Sequence, residues 1–404
     1  MSTSLLYHAF GIRGYRYRST RYVKGATELV IEHHPDNLCC PHCGSRDVVG
    51  AGKVERRFRN LPVGSRATWI VLPVQRLRCR RCGIVRQATL DFADERVHYT
   101  HRFERYALEL SRSTTIEDAA NHLGVTWDTV KDMQKRQLQK RFRHIPLGHL
   151  KKIAIDEINV GKGHRYLTLV LDLESGAVVY IGQGKGADSL VEFWRKLKAS
   201  HAKIKAVATD LSPAYILAVS KNIPKAVHVF DRFHVVKLFN DNLSHLRRQI
   251  QNAAVTVEQK QAIKGTRWLL LKNPENLNPQ RSEKERLDDA LRLNRPLFIA
   301  YQLKEDLRQL WEQAGKRAAG AFLDDWIARA RLSGIPMLNT FANTLLLHRK
   351  GLLAWYDHPI STGPLEGTNN KIKTMQRQAY GYRDEEFRRL KIHAIHEAKY
   401  AIVG

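Results

Sequence analysis

Two Cys-x-x-Cys-Gly knuckles, CPHCG beginning at Cys40 and CRRCG beginning at Cys79, constrain this chain more than any other feature. A two-residue spacer lets both sulfurs of a knuckle face one point, and the glycine that follows, Gly44 or Gly83, frees the turn to close. Cys40, Cys43, Cys79 and Cys82 are therefore expected to surround one Zn²⁺ tetrahedrally. Four thiolates leave no open position for water, so the expected role is structural. All five cysteines fall between Cys39 and Cys82, a clustering that a disulfide scaffold would not show. Cys39 is the odd one out, and His33, His34 and His42 read as surface or strand residues rather than ligands. The segment between the knuckles is long for a small zinc module and suits a ribbon with an inserted hairpin.

At 404 residues the chain exceeds what one core usually organises, which predicts two to four modules. A formal charge of +27 points to a polyanionic partner, most simply nucleic acid. The N-terminus has no secretory pattern, and no segment approaches the roughly 18 uncharged apolar residues of a membrane span, so a soluble, cytoplasmic protein without membrane contact is expected.

Periodicity divides the chain further. Residues 1–92 read as short strands and turns, with strands at Tyr15–Tyr22, Glu28–His33, Ala67–Leu72 and Val74–Leu77. Residues 93–150 turn helical. Residues 151–240 alternate strand and helix: strands at Lys152–Ile158, Arg165–Leu173, Ala177–Gln183, Ile204–Asp210 and Ala226–His234, helices at Asp188–Leu197 and Pro213–Asn222. Residues 241–350 read as a helical insertion, after which residues 351–404 return to the sheet domain with a Gly-Pro turn and a long basic helix.

Within the helical module, Thr115 can cap a helix over Ile116–Leu123, Gly124 supplies a turn, and a second helix starts near Trp127. This is a helix-turn-helix pattern. It places Thr126, Lys131 and Lys135, with Asp128, on the exposed side of a recognition helix facing a major groove of double-stranded DNA.

Asp156 lies among Ile153, Ile155 and Ile158 in an apolar strand, where a carboxylate needs a reason. Asp210 ends a second apolar strand, at the edge where an α/β sheet builds its sites. Glu366 begins a helix after Pro364, and spacings of four, three and four put Asn370, Lys373 and Arg377 on its face. Three such carboxylates can hold two Mg²⁺ (or Mn²⁺) ions about 3.5–4 Å apart, one serving the attacking oxygen of a phosphodiester displacement and one the leaving oxygen. Asp231, in VFDRFHV, is the rival third ligand. Asp172, Asp188 and Glu157 read as caps or ion-pair partners, Asp188 in particular as the cap of the helix beginning at Ser189.

The strings VATDLSPAY, VFDRFHVVK and LEGTNNKIKTMQRQAYGYR, together with the two knuckles, resemble the ISL3 family of bacterial insertion-sequence transposases of DDE type. The resemblance spans nearly the whole chain. It implies a multidomain α/β protein: a zinc ribbon, a helix-turn-helix, and a ribonuclease-H-like catalytic domain interrupted by the helical insertion. It further implies binding to the terminal inverted repeats of a mobile element, cleavage there, and joining of the 3′-hydroxyls to target DNA, with a homodimer holding two ends. A zinc-dependent DNA-binding regulator without catalysis, or a ribonuclease-H-like nuclease that cuts without joining, are the alternative readings.

Overall fold

A computed structural model describes residues 5–161, 163 and 165–396. The chain divides into two compact units, residues 1–143 with 375–404, and residues 144–374.

In the first unit a short helical turn, α1 (Leu5–His8), precedes five strands: β1 (Tyr15–Val23), β2 (Ala26–His33), β3 (Val48–Val63), β4 (Arg66–Cys79) and β5 (Val85–Gln87). They form one sheet in the order β1-β2-β4-β3, with β5 also on β4. The inserted hairpin is β3–β4, antiparallel from Val48↔Cys79 to Val63↔Arg66. The two strands expected at 67–72 and 74–77 are one strand. Pro73, which cannot donate to a ladder, falls in the gap between the pairing of β4 with β2 at residues 68–71 and with β5 at 76–78. The sequence pattern gave no strand over Val48–Val63, because that strand buries only Phe58, Arg59 and Asn60 and otherwise carries exposed or half-exposed residues. Leu29, Ile31, Phe58, Ile70 and Leu72 fill the core beneath the sheet.

Three helices follow, α2 (His101–Leu110), α3 (Ile116–Leu123) and α4 (Trp127–Phe142). Thr100, Thr115 and Thr126 cap them through their hydroxyls. Gly124 sits at φ 60°, ψ 42°, the left-handed geometry that closes α3 and starts the turn into α4. The bundle is tied to the ribbon through β3. Arg59 exchanges backbone hydrogen bonds with His98 and Thr100, and Thr100 Oγ1 donates to Asn60 Oδ1 at 2.9 Å. The buried Arg59 guanidinium donates to Thr68 O at 3.2 Å and to Leu123 O at 2.8 Å, the carbonyl at the end of α3.

The second unit is built on β6 (Lys152–Gly161), β7 (Arg165–Asp172), β8 (Val178–Gln183), α5 (Val191–Ala199), β9 (Ala206–Thr209), α6 (Pro213–Asn222) and β10 (Val227–Phe230). The sheet order is β10-β9-β6-β7-β8. β6, β7 and β8 form an antiparallel meander, while β9 and β10 run parallel to β6. Three antiparallel strands continued by two parallel ones through crossover helices is the ribonuclease-H-like arrangement. Asp188 does not cap a helix; it lies inside a 3₁₀ turn, Ala187–Leu190, that precedes α5. Asp172 does hold a turn, accepting from Glu174 N and Ser175 N.

The last sheet strand ends at Phe230, short of the expected His234, because Asp231 caps a helix there. That helix, α7 (Arg232–Ala253), opens the insertion of α8 (Val257–Ile263), α9 (Arg267–Leu271), α10 (Glu283–Arg292), α11 (Arg295–Arg308), α12 (Lys316–Leu332) and α13 (Pro336–Leu353). Phe239, Trp326 and Phe341 meet edge-to-face at its centre, and Trp326 Nε1 donates to Leu303 O at 2.8 Å. α13 returns against β10 at Gly351, where a β-carbon would stand 2.4 Å from the Phe230 ring. Only glycine permits that approach.

α14 (Gly363–Gln378) and α15 (Glu385–His393) complete the described chain. The long basic helix expected after Ser361 is thus two helices, broken where Tyr380 and Gly381 take positive φ. From residue 375 onward the chain belongs to the first unit, although the sequence grouped residues 351–404 with the sheet. The physical reason is α15: it buries Phe387 and Ile392 and sets Asp384 and Glu386 against lysines of α4.

Arg59→Ala should leave two buried carbonyls without their charged donor and cost about 2–4 kcal/mol of stability in the first unit. Urea unfolding followed by tryptophan fluorescence and far-UV circular dichroism measures it; a change within 0.5 kcal/mol, a figure of roughly surface-mutation size, contradicts the clamp.

Candidate active site and metal centres

The zinc centre forms as the knuckles dictate. Gly44 N and Gly83 N close back on Cys40 O and Cys79 O, each at 2.9 Å, and both glycines take φ of 71°. The four sulfurs of Cys40, Cys43, Cys79 and Cys82 lie within 4.8 Å of one another, with Cys40–Cys82 at 3.7 Å and Cys43–Cys79 at 3.6 Å. A tetrahedron with Zn–S of about 2.3 Å has edges near 3.8 Å, so the donor set fits one structural Zn²⁺. Cys39 stands outside the group. Because Cys79 ends β4, a bound metal would anchor the strand that carries Thr68 toward the Arg59 clamp.

At the start of α4, Thr126 is exposed and spends its hydroxyl on the cap, accepting from Thr129 N at 3.3 Å. Lys131 and Lys135 are not free cations. Lys135 Nζ lies 2.9 Å from Asp384 and 2.8 Å from Glu386, and Lys131 Nζ lies 3.4 Å from Asp384. Asp384 itself caps α15, and that backbone hydrogen bond with the Lys135 contact lowers its carboxyl to about 2. Both lysines were expected at the groove by spacing alone; a helix distant in sequence occupies them instead. The freely exposed positions near the start of α4 are Thr126, Trp127 and Asp128.

The carboxylates gather where the parallel strands end. β6 pairs with β9 through Ala154↔Ala208, and Asp156 and Asp210 each stand two residues beyond that last pair. β10 pairs through Phe230↔Thr209, one residue before Asp231. Glu366, on the first turn of α14, joins Asp156 and Asp210 in lining a cavity of about 490 Å³. Asn370 and Lys373 line it too, with Glu157, His234 and Asn369; Arg232 and Lys237 add positive charge at its wall. Arg377, exposed near the end of α14, is not among the lining residues.

Burial, with the neighbouring Glu157 and Asp210 charges, pushes the Asp156 carboxyl up to about 6 against the opposing pull of His234 and of Glu157 N. Burial and Asp210 likewise raise Glu157. His234 faces these acids: burial lowers its pKa, but the Asp231 contact and the Asp156 and Asp210 charges raise it more, for a net rise. Asp231 lines the cavity as well. Its carboxylate, 2% exposed, accepts from Phe233 N at 2.7 Å and from Thr362 N at 2.6 Å, and faces His234 Nδ1 at 3.5 Å. These donors outweigh burial and hold it below the usual carboxylate range.

Three residues of the cavity escaped the sequence reading. Glu157 was taken for an ion-pair partner, yet it faces the cavity beside Tyr215. His234 was assigned to strand and is instead on the first turn of α7. Asn369 was passed over for Asn370, which lies on the exposed face; Asn369 is buried, donates to Asp156 Oδ2 at 3.1 Å, and leaves a buried Oδ1 without a protein partner. The available signal was a polar side chain on the same stripe as Leu365, Thr368 and Ile372, all buried. Clustered carboxylates and an unpartnered amide oxygen are hard oxygen donors and suit a cation such as Mg²⁺.

Comparison with known proteins agrees with this layout. The zinc-finger of the IS204/IS1001/IS1096/IS1165 transposases matches residues 36–82, the helix-turn-helix domain of transposase family ISL3 matches residues 88–138, and that family's transposase model matches residues 153–392. The transposase for insertion sequence element IS1001 of Bordetella parapertussis is 35% identical over 360 residues, covering 88% of each chain. The transposase for IS1557 of Mycobacterium tuberculosis is 28% identical over 372 residues, covering 86% of this chain and 83% of that protein. The Drosophila P element transposase strand transfer complex aligns with a TM-score of 0.39 at 11% identity, over 73% of this chain and 91% of that one. A zinc ribbon, a helix-turn-helix and a ribonuclease-H-like sheet in this order define a DNA transposase. The chain belongs to the transposase family ISL3. Among the described residues no helix is long and apolar enough to cross a membrane.

Elemental analysis should find about one Zn²⁺ per chain, and Cys43→Ser should loosen the first unit while the second keeps its fold; folded protein with no zinc contradicts the centre. The second prediction concerns charge. An acid raised from 3.8 to about 6 binds its proton more tightly folded than unfolded, so its stabilisation is complete below pH ~4 and lost as pH rises to ~6. Without added Mg²⁺ at pH 7.5, Asp156→Asn should therefore be more stable than the parent by roughly 1–3 kcal/mol, with the difference vanishing near pH ~4. Thermal melts at the two pH values decide it; a variant less stable at pH 7.5 refutes the electrostatic reading.

Proposed function

We propose that Asp156, Asp210 and Glu366 are the catalytic carboxylates of a DDE transposase and hold two Mg²⁺ (or Mn²⁺) ions, with which the chain cuts the ends of its insertion sequence and joins them to target DNA. The observation that supports this most is the convergence of Asp156, Asp210 and Glu366, from β6, the end of β9 and α14, on one cavity with cationic walls, which Glu157 and Asp231 also line. When bound, two divalent cations supply activation of the attacking oxygen and stabilisation of the leaving one. The protein's own groups do the placing. Asn369 orients the Asp156 carboxylate through the 3.1 Å hydrogen bond. Asn370 and Lys373, one and two turns along α14 from Glu366, together with Lys237 and Arg232, hold the scissile phosphate and its neighbours as charge develops.

The reaction then has two displacements at one site. Water attacks a phosphodiester at the element end and frees a 3′-hydroxyl; that hydroxyl attacks a target phosphodiester, expelling a 3′-oxygen. No protein nucleophile is required. The helix-turn-helix recognises the terminal inverted repeats of double-stranded DNA, and a homodimer on DNA brings two ends together. Asp231 serves the site by position: it fixes the turn at Thr362 from which α14 departs.

With a plasmid carrying the element's ends, Glu366→Gln and Asp210→Asn should each lose cleavage and joining by on the order of a hundredfold or more while binding end DNA normally. Asp231→Asn should lower stability and retain part of the activity. A Glu366→Gln protein that cuts near the parent rate while a stably folded Asp231→Asn is dead overturns the assignment. Cleavage without any joined product would favour the nuclease reading.

A further inference from the structure

In the helical insertion Arg308, Arg329 and Arg349 each have a carboxylate within 3.1 Å. The arginines where α7 meets α9 do not. Among the described residues no carboxylate pairs with Arg247, Arg248 or Arg267. Arg247 is half-buried; its Nη1 donates to Gln251 Oε1 at 2.7 Å, and its Nε is buried without a partner. α9 packs against α7, and burial first, then the charges of Arg248 and Arg267, lower the pKa of Arg247.

The surface is held rigidly despite those like charges. α9 is five residues long and could not persist alone. Leu269 and Leu270 anchor it in the insertion's core, and the buried Lys304 Nζ grips its C-terminal end, 2.8 Å from Leu270 O and 3.1 Å from Lys272 O. Thr266 Oγ1 fixes the turn before it through Ile263 O at 2.8 Å. With both leucines inward, Arg267 and Trp268 face out; Trp268 is 64% exposed, and the Arg267 guanidinium lies 4.8 Å from its ring centroid. An unpaired arginine cluster beside a presented indole matches the backbone oxyanions and flat sugar–base surface of DNA.

We infer that the junction of α7 and α9 is a second DNA-binding surface, taking the phosphodiester backbone on Arg247, Arg248 and Arg267 with Trp268 packed against the adjoining nucleotide. It gives the insertion a function separate from the carboxylate cavity, and it does not depend on which acid completes that cavity. A neutral partner would not offset these like charges, whereas each backbone phosphate does.

The test is equilibrium binding of the full chain to a fluorescent 40-bp duplex of random sequence across a salt series, read by anisotropy. Arg248→Gln/Arg267→Gln should weaken binding roughly tenfold at moderate salt and reduce the slope of log affinity against log salt by about 2. Lys221→Gln/Lys225→Gln, an equal charge change at exposed lysines of the same unit, should stay within about threefold and lower the slope by less than about 1. Affinity and slope matching the lysine control would overturn the inference. So would an arginine variant that binds DNA normally but no longer self-associates, because that assigns the cluster to a protein interface. Binding is read without catalysis, so a failed carboxylate assignment leaves this outcome intact.

Discussion

The buried carboxylate of Asp231 is the interaction on which the proposed site depends. Its two oxygens join the start of α7 to the backbone of Thr362, 131 residues further on, across the whole helical insertion. A 22-residue helix leaves the sheet at this point and α14 enters beside it, so the same group sets where the chain goes out and where it returns. Gly351 makes the companion contact by letting α13 press on Phe230. Removing either would free the turn at Ser361–Pro364 and with it the position of Glu366. The two acids move in opposite directions: Asp231 is held low by hydrogen-bond donors and His234, while Asp156 is raised by burial first and then by the Glu157 and Asp210 charges.

That contrast explains what the sequence could and could not disclose. Strand and helix periodicity gave the second unit's sheet nearly residue by residue, because Val, Ile and Ala fill β6, β9 and β10 and Pro213 marks α6. The knuckles gave the zinc cluster, because zinc chemistry dictates spacing. The misses have two causes. The β3 strand carries few buried residues, so its local pattern is weak. Asn369 hides on a buried helix stripe facing Asp156, and Lys131 and Lys135 are occupied by Asp384 and Glu386 some 250 residues away; these are decided by long-range partners, which no local pattern encodes.

The two units treat charge in opposite ways. In the first, the lysines of α4 are neutralised at close range and Arg59 is spent on carbonyls, so its surplus cations serve architecture as well as DNA. In the second, burial and the like charges of Asp156, Glu157 and Asp210 raise Asp156 and Glu157 against the pull of His234, and burial with the charges of Arg248 and Arg267 lowers Arg247. Unrelieved repulsion costs stability, and it persists where an absent partner of opposite charge offsets it. For the acids the proposed partner is a divalent cation; for the arginines the proposed partner is DNA.

The most direct measurement is therefore to locate the cation. Crystals of the protein soaked in Mn²⁺ and measured at the manganese edge should show anomalous density in the cavity, about 2.2 Å from carboxylate oxygens of Asp156 and Asp210, with Glu366 beside a second peak when DNA is bound. Manganese on Asp231, or none in the cavity while zinc is present on the four cysteines, would contradict the account.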